Sequence, residues 1–344
     1  MTMMQQMTLA RRPEGAPTQA DFNLETCPIP TPGASEVLVE VSHFSLDPYM
    51  RGRMDAAKSY AASVPIGGVM EAGGVGRVIA SNDARFGVGD QVFGMFGWAS
   101  HGVVKGGALR KLDDALPATT ALGVLGMPGF TGWYGLTQRG LPQAGETLVV
   151  AAATGPVGSM VGQLARRAGL RVVGIAGGAD KCAMARDEFG FDACIDHRAH
   201  DTARDLRTAL ADACPDGVDI YFENVAGKTL QAIIPLMNVH GRIPLCGMVS
   251  WYNEGALGAG ASTGDSDMLP WLWRNLLVSR LTVSGFIISD HFDQFPTFLR
   301  EVAPLVAAGD VKYIEDIAQG LENAPAAFAA MLKGGNRGKQ IVAI

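Results

Sequence analysis

The chain has 344 residues, which is enough for two domains or one large one. Apolar residues make up 48% of it and charged residues 18%, so there is ample material for a packed core. The net charge of −6, without a basic cluster, argues against a nucleic-acid-binding surface, and no apolar run reaches the ~18 residues that a membrane-spanning helix needs.

The N-terminus and the cysteines indicate the compartment. Residues 1–15 lack the apolar stretch of a secretory signal. The five cysteines are an odd number without a C-x-x-C pair, which is typical of free thiols in a reducing compartment and predicts a cytoplasmic protein. No His, Cys or Asp cluster has metal-ligand spacing, so no metal is expected, and lone histidines such as His43 and His101 are interpreted as packing residues.

The first third of the chain has the pattern of β structure. Residues 35–46 alternate and then run apolar, as a β-ribbon does. Residues 66–104 are rich in Gly and Val, and short strands punctuated by glycine predict a compact β-barrel-like domain. From about Thr119 the apolar residues take helical spacing instead.

The most distinctive stretch is residues 146–181. An apolar β-type run from Thr147 to Ala152 enters a glycine turn at 154–158, and a helical segment leads to a second apolar run at 171–176. This strand–turn–helix–strand unit has the length of the minimal dinucleotide-binding module. On its own, the A-x-G-x-x-G pattern fits a mere tight turn equally well; the surrounding elements favour a cofactor site.

The residues of this turn have separate physical roles. Gly155 would let backbone N–H groups approach a pyrophosphate without a Cβ in the way, and Gly158 would let the helix pack closely on its strand. The helix N-terminus adds partial positive charge for the phosphates. Ala153 stands where the usual motif has its first glycine, so the motif is degenerate.

The end of the second strand predicts which dinucleotide binds. Chains that prefer NAD place an acid there for the ribose 2′-hydroxyl, whereas this chain has Gly177-Gly178 and then Lys181, which can supply charge to a 2′-phosphate. The cofactor is therefore predicted to be NADPH. The alternative is a plain loop followed by a solvated lysine. Asp180 is interpreted as the N-cap of the next helix.

Strand and helix patterns continue to alternate after this module. Further strands are predicted at 194–196, 218–223, 242–249 and 281–288, helices at 228–237 and 325–333, and a Gly-rich loop at 254–266. Six strands of this kind predict an α/β fold with a doubly wound parallel sheet. The chain ends in a β-like run, IVAI, which is expected to pack on the N-terminal domain.

Motifs along nearly the whole chain resemble one family. The chain resembles the zinc-independent leukotriene B4 12-hydroxydehydrogenase/prostaglandin reductase group of medium-chain dehydrogenases/reductases, which also contains plant alkenal double-bond reductases and bacterial curcumin-reductase-type enzymes. The matching stretches, in order, are SLDPYMRGRM (45–54), GMPGFTGWYGL (126–136), AAATGPVGSMVGQLA (151–165), GIAGGADKC (174–182), YFENVAGKTL (221–230), GRIPLCGMVSWYN (241–253), GFIISDH (285–291) and GGNRGKQIV (334–342).

The resemblance implies a fold and an activity. It implies a GroES-like β-barrel domain over residues 1–125, completed by 316–344, and a Rossmann NADP-binding domain over 126–315. It also implies a homodimer, and NADPH-dependent reduction of the C=C bond of a hydrophobic α,β-unsaturated aldehyde or ketone. The cofactor-binding residues implied or predicted are Thr131, Thr154, Gly155, Pro156, Val157, Gly158, Gly178, Lys181, His197, Asn224, Cys246, Tyr252, Phe286, Ile288 and Asn336.

One segment departs from the family pattern. Where members commonly have Asp-Tyr-Lys, this chain has Asp196-His197-Arg198. His197 is expected either to stack on the adenine or to contact the phosphate, and its charge is open at this point.

The implied chemistry needs a hydride at the β-carbon, stabilisation of an enolate oxygen and a proton at the α-carbon. Tyr252 is the candidate hydrogen-bond donor; the alternative is a packing aromatic at a strand end. Tyr49 is the second catalytic candidate, on the substrate side, unless its loop only holds a domain interface. Met127, Trp133 and Trp251 are either apolar walls of the cleft or core residues.

Two other classes of function remain open. One is a different enzyme with the same cofactor, a quinone reductase above all, since the missing metal ligands argue against a zinc alcohol dehydrogenase. The other is a non-catalytic protein that binds NADPH as a sensor.

Overall fold

The computed structural model describes residues 2–57, 59–255 and 268–344. Most of the Gly-rich stretch predicted as a loop at 254–266 lies outside these residues. The described chain forms two compact units. The first contains residues 2–126, 252–255 and 315–344, and the second contains 127–251 and 268–314, apart from the gaps just named.

The first unit is built from β-strands and confirms the prediction of a β-rich domain. Strand β3 is its centre, because it pairs antiparallel with β4 along one edge and with β6 along the other. A short helix, α1 (Met50–Arg53), follows β3. The strands in chain order are β1 (Met3–Leu9), β2 (Phe22–Pro28), β3 (Glu36–Ser45), β4 (Gly73–Ser81), β5 (Gln91–Met95), β6 (His101–Lys105) and β7 (Arg110–Lys111).

The second unit contains a six-stranded parallel sheet with helices between its strands. Its strands are β8 (Thr147–Ala151), β9 (Arg171–Ala176), β10 (Ala193–Asp196), β11 (Val218–Phe222), β12 (Met237–Leu245) and β13 (Thr282–Gly285). Its helices are α2 (Met127–Tyr134), α3 (Pro156–Arg167), α4 (Ala179–Asp187), α5 (Ala203–Ala213), α6 (Gly227–Ile233), α7 (Leu269–Ser279) and α8 (Phe295–Ala307).

The strand order of this sheet, β10-β9-β8-β11-β12-β13, is that of a doubly wound Rossmann fold. The predicted parallel sheet is therefore confirmed. The order reverses between β8 and β11, and ligands of such sheets bind at the carboxyl ends of the strands at this point.

Burial explains why this unit folds as it does. Every residue of β8 is buried, as expected for a central parallel strand. Helix α3 buries Met160 and Val161 and leaves Arg167 exposed at its end. It also lies close to its neighbours: a Cβ at Gly162 would come within 2.0 Å of the Phe191 ring. The amphipathic pattern thus places α3 on the sheet.

One predicted helix is shorter than expected. The prediction for 228–237 ended at Met237, whereas α6 ends at Ile233 and Met237 already begins β12. Pro235 lies between them in a 3-10 turn. Proline has no N–H and restricts the residue before it, so the α-helix ends there.

The chain then returns to the first unit. It forms β14 (Glu315–Gln319), α9 (Ala324–Leu332) and β15 (Lys339–Ala343). Strand β15 lies between β14, which is parallel to it, and β3, which is antiparallel. Helix α9 contributes Phe328 to the core of this unit, where its ring lies 5.6 Å from Trp98.

Candidate functional site

The glycine turn after β8 has the geometry of an anion site. Gly155 is the residue before the first turn of α3, and Pro156 is the first residue of the helix. A Cβ at Gly158 would stand 2.3 Å from the Ala152 carbonyl oxygen, so the fold itself requires glycine there. At Gly155 the nearest atom to such a Cβ, the same oxygen, is 3.4 Å away. Packing within the protein therefore does not require Gly155, whereas a phosphate approaching the backbone does.

The second glycine position lies at the tip of β9. Gly178 has φ of 103°, a conformation that favours glycine, and it is the N-cap residue of α4. Its N–H donates to Asp196 Oδ1 at 2.7 Å. The expectation that Asp180 is the N-cap is therefore wrong, since Asp180 lies inside the first turn. The acid that binds the Gly178 N–H comes from the neighbouring strand β10.

Asp196 binds backbone N–H groups that follow both β9 and β10. Its Oδ1 also accepts the Arg198 N–H at 2.9 Å. Burial alone would raise the pKa of this carboxyl, but the hydrogen bonds from Gly178 and Arg198 and the nearby charges lower it overall. Asp196 is thus an ionised carboxylate that is already engaged by backbone N–H groups.

Cationic side chains converge around His197, just after β10. Burial lowers the pKa of His197, and the charges of Lys228, Arg198 and Lys181 lower it further. In the protein without cofactor, these effects favour the neutral imidazole at pH 7, although the charge of Asp196 opposes them. Lys228 Nζ donates to the His197 carbonyl oxygen at 2.9 Å. Three cations near one strand tip match the charge of a 2′-phosphate.

The end of β11 is bonded to the start of the glycine turn. Asn224 Nδ2 donates to the Ala151 carbonyl oxygen at 2.9 Å. Before it, the buried Glu223 carboxylate accepts the N–H groups of Val225 and Ala226 at 2.6 and 2.8 Å. Burial raises the pKa of Glu223, although these hydrogen bonds partly offset the shift. These bonds hold Asn224 in place next to β8.

Cys246, Phe286 and Ile288 follow the last two strands of the sheet. The Cys246 N–H donates to the Glu223 carbonyl oxygen at 3.0 Å. Burial raises the pKa of the Cys246 thiol to about 12, so it is protonated at neutral pH. Phe286 is buried, with its ring 5.5 Å from that of Tyr134, and Ile288 begins a 3-10 turn.

Thr131 lies in α2, which packs against the first turn of α3. A Cβ at Gly132 would stand 3.0 Å from the Val157 carbonyl oxygen, so the two helices are close at this point. Thr131 is buried, and its hydroxyl donates to the Met127 carbonyl oxygen at 2.7 Å. Trp133 is a core residue, since its ring is buried and its Nε1 donates to Glu301 Oε2 at 2.9 Å.

The structure thus brings most of the predicted cofactor residues of the second unit to one edge of one sheet. They follow the ends of all six strands, because the carboxyl ends of parallel strands share an edge. In spatial order of strands they are His197 after β10; Gly178 and Lys181 after β9; Thr154, Gly155, Pro156, Val157 and Gly158 after β8; Asn224 after β11; Cys246 after β12; and Phe286 and Ile288 after β13.

The remaining candidates belong to the first unit. Tyr49 lies just before α1, and burial together with the charges of Asp47 and Glu71 raises its pKa well above the ordinary value. Its phenol is therefore a neutral hydrogen-bond donor at any physiological pH. Tyr252 is half-buried in a 3-10 turn, and Asn336 Nδ2 donates to the Gly338 carbonyl oxygen at 2.7 Å.

An arginine lies between two aromatic rings beside Tyr49. The Arg53 guanidinium carbon is 5.4 Å from the centroid of the Tyr49 ring and 4.6 Å from that of Tyr60. Arg53 also pairs with Glu71 at 3.2 Å. These contacts fix one face of the Tyr49 ring.

Sequence reasoning missed the roles of Asp196, Glu223 and Lys228. Asp196 and Lys228 bind backbone groups of other segments, which a local pattern does not reveal, whereas Glu223 binds the N–H groups of Val225 and Ala226 just after it. The available signal was the position of the two acids at the ends of predicted strands, where they face the cofactor edge. Among residues 2–57, 59–255 and 268–344, no group of three or more His, Cys, Asp or Glu could hold a metal ion.

A parallel sheet with this strand order and a glycine turn at its reversal point, together with a separate β unit, defines a dinucleotide-binding oxidoreductase. Two family models match the chain: "N-terminal domain of oxidoreductase" over residues 5–112 and "Zinc-binding dehydrogenase" over 156–304. The chain belongs to the medium-chain dehydrogenase/reductase family, in the zinc-independent group with curcumin, alkenal and prostaglandin reductases.

Three relatives illustrate the similarity. The NADPH-dependent curcumin reductase of Escherichia coli is 48% identical over 338 residues, covering 98% of this chain and 95% of its own. Prostaglandin reductase 1 of Rattus norvegicus is 37% identical over 348 residues, 99% of each chain. The crystal structure of CurA from Vibrio vulnificus in complex with NADPH has a TM-score of 0.92 and 47% identity over 98% of each chain.

Proposed function

We propose that this protein uses NADPH to reduce the C=C bond of α,β-unsaturated aldehydes and ketones. The observation that carries the proposal is the set of three cations, Lys181, Arg198 and Lys228, close to His197 and the Gly178 turn at the carboxyl edge of the parallel sheet. The relatives include an NADPH-dependent curcumin reductase and a 2-alkenal reductase, whose activities support the same reaction class.

The second unit binds the cofactor in this proposal. NADPH supplies the hydride to the β-carbon. The first turn of α3 binds the pyrophosphate through backbone N–H groups that have no partner four residues earlier. Lys181 binds the 2′-phosphate, and Asn224, held by Ala151, lies on the ribose side.

The first unit binds the substrate and stabilises charge. Tyr252 donates a hydrogen bond to the carbonyl oxygen as the enolate develops, which lowers the energy of that state. Tyr49 contacts the substrate with a phenol that stays protonated. The α-carbon then takes a proton, from Tyr252 or from water. No metal takes part in this scheme.

The protein works as a homodimer in this proposal, with the second copy seated against α7 and β13. Strand β13 is at the edge of the sheet, and no second strand pairs with it in the part of the chain that the structure describes. Beside it, the side chains of Trp273 and Leu277 on α7 are 62% and 78% exposed. An open edge next to exposed large apolar residues is typical of an interface.

The proposed location is the cytoplasm, which the five free cysteines support, since a reducing compartment keeps thiols unpaired. None of the described helices has the length and apolar character that crossing a membrane takes.

NADPH oxidation with a panel of acceptors tests the function. The panel contains 2-alkenals, benzalacetone, the matching saturated ketone and quinones, with product analysis by mass spectrometry. We expect turnover of the enals and enones to saturated carbonyl products, and none of the saturated ketone. Turnover of quinones alone would replace the proposal by quinone reduction, and NADPH binding without any turnover would indicate a sensor.

A further inference from the structure

A lysine is buried in the core of the first unit, and two of the three residues that it binds lie far away along the chain. Lys339, the first residue of β15, is only 3% exposed. Its Nζ donates to the Leu46 carbonyl oxygen at 2.6 Å, to Asp47 Oδ1 at 3.0 Å and to the Gln340 carbonyl oxygen at 3.0 Å. An ammonium has three hydrogens, so these three acceptors use all of them.

Both carboxylate oxygens of Asp47 accept hydrogen bonds. The second oxygen of Asp47 accepts the Ser45 hydroxyl, and the Asp47 carbonyl oxygen accepts the Met50 N–H at 3.1 Å. Asp47 therefore joins the end of β3 to the turn that contains Tyr49 and begins α1. The Asp47 carboxylate at this turn is thus bound by a residue 292 positions away.

The surroundings leave space for this side chain. A Cβ at Gly123 would stand 3.2 Å from Lys339 Cγ, so the glycine accommodates the lysine stem. The Leu46 N–H also donates to the Gln340 carbonyl oxygen at 3.1 Å, which continues the pairing between β3 and β15. The lysine is thus placed by the sheet as well as by its ion pair.

Stability alone does not explain a charge pair in this position. Moving two charges out of water is costly, and apolar residues of similar size often stabilise a core equally well. Hydrogen bonds differ from apolar contacts in having direction, so they fix a backbone turn in one geometry.

We propose that Lys339 is a positioning residue that acts through Asp47 to hold the Tyr49 turn in its catalytic geometry. This proposal rests on the proposed function, in which Tyr49 contacts the substrate. Asn336, assigned to the cofactor, lies three residues earlier in the same segment.

The test compares Lys339→Met, Asp47→Asn and the double variant. The single Lys339→Met change leaves a buried carboxylate without its cation, so the neutral double variant is the informative one. We expect it to fold, with kcat for an enone lowered about 10- to 100-fold by misplacement of the turn and the KM for NADPH unchanged. Lys312→Met, at an exposed pair with Glu188, is the matched control and keeps full activity.

A double-mutant cycle with Tyr49→Phe distinguishes a role of Lys339 in positioning Tyr49 from a general contribution of Lys339 to stability. If Lys339 acts through Tyr49, then adding the double variant to Tyr49→Phe lowers kcat little further. Independent, multiplying losses would overturn the proposal, as would a lower melting temperature with unchanged kcat. A Tyr49→Phe protein with wild-type kcat would also overturn it while leaving enone reduction intact.

Hydrogen exchange gives a readout that does not depend on turnover. We expect the amides of Met50 and Arg51 to exchange faster in the double variant, with those of β4 and β5 unchanged. Unchanged exchange at Met50 and Arg51 would overturn the proposal. If the wild-type protein reduces no enone, the proposed function fails, and the exchange experiment still decides whether Lys339 orders the turn.

Discussion

Lys181 is the residue at which we expect this site to distinguish NADPH from NADH. It lies in the first turns of α4 with Arg198 and Lys228 nearby, as their joint effect on the pKa of His197 indicates. A 2′-phosphate would interact with all three cations, whereas a 2′-hydroxyl would gain little from them.

We therefore expect Lys181→Ala to raise the Kd for NADPH about 10-fold and to leave that for NADH nearly unchanged. Calorimetry with both cofactors measures this. Lys312→Ala removes a lysine from an exposed pair of the same unit and serves as the control. Equal losses for both cofactors would refute the phosphate contact.

Tyr252 gives a prediction for the chemical step. A phenol that stabilises a developing enolate acts mainly in the transition state, so its removal should lower kcat rather than affinity. We expect Tyr252→Phe to lower kcat for an enone by about 10-fold or more and to leave the Kd for NADPH unchanged. Steady-state kinetics with benzalacetone measures it; unchanged turnover would remove Tyr252 from the mechanism.

His197 gives a pH dependence. Its pKa in the folded protein lies below the ordinary 6.5, so below about pH 6.5 the unfolded chain binds a proton that the folded one does not. The contribution of His197 to stability is therefore present above that pH and is lost as the pH falls. We expect His197→Phe to show a smaller loss of melting temperature than wild type between about pH 7.5 and about pH 5.5. An equal loss would contradict this assignment.

The turn between β8 and α3 shows how two glycines of one motif differ. Gly158 is required by packing, because its Cβ would meet the Ala152 carbonyl oxygen at 2.3 Å. Gly155 has ordinary space around it and an extended backbone with φ of −71°. Packing therefore does not require glycine at 155, whereas a phosphate lying against this backbone would.

We expect Gly158→Ala to destabilise the fold by about 1–3 kcal/mol. Gly155→Ala should keep the wild-type melting temperature and raise the Kd for NADPH. Thermal unfolding and calorimetry on both variants check the contrast. Wild-type NADPH affinity in Gly155→Ala would mean that no phosphate lies against this turn.

The sequence predicted those strands and helices whose apolar pattern lies within their own residues. The strands at 171–176 and 218–223 are apolar runs bounded by turns, so their burial in a sheet could be inferred directly. The polar hairpin of β1 and β2 was not predicted, because its strands contain Gln and Glu and depend on pairing with each other.

In the candidate site, too, features of single positions could be predicted, whereas contacts between distant residues could not. The glycine turn and Lys181 were predicted because backbone freedom and charge are properties of single positions. The N-cap of α4 was assigned to Asp180 because local pattern favours an acid near a helix start. The Gly178 N–H instead binds Asp196, 18 positions away, and no local rule contains that partner.

At the scale of the whole molecule, the apolar surface on α7 predicts the oligomeric state. Trp273→Glu with Leu277→Glu places charges on the proposed interface, and we expect the protein to change from dimer to monomer. Val88→Glu, at a side chain 75% exposed in the first unit, is the matched control and should remain dimeric. Light scattering after size-exclusion chromatography gives the masses. A dimer in both variants would reject this interface, and a monomeric wild type would reject the dimer itself.

The position of β15 has a consequence for synthesis on the ribosome. All six strands of the parallel sheet have been translated once β13 is complete, whereas β3 gains its neighbour β15 only about 55 residues later. A nascent chain therefore carries an open strand edge at Ser45 and Phe44 during this interval. Premature termination before residue 339 leaves that edge uncovered, so such fragments are expected to require chaperones or to be degraded.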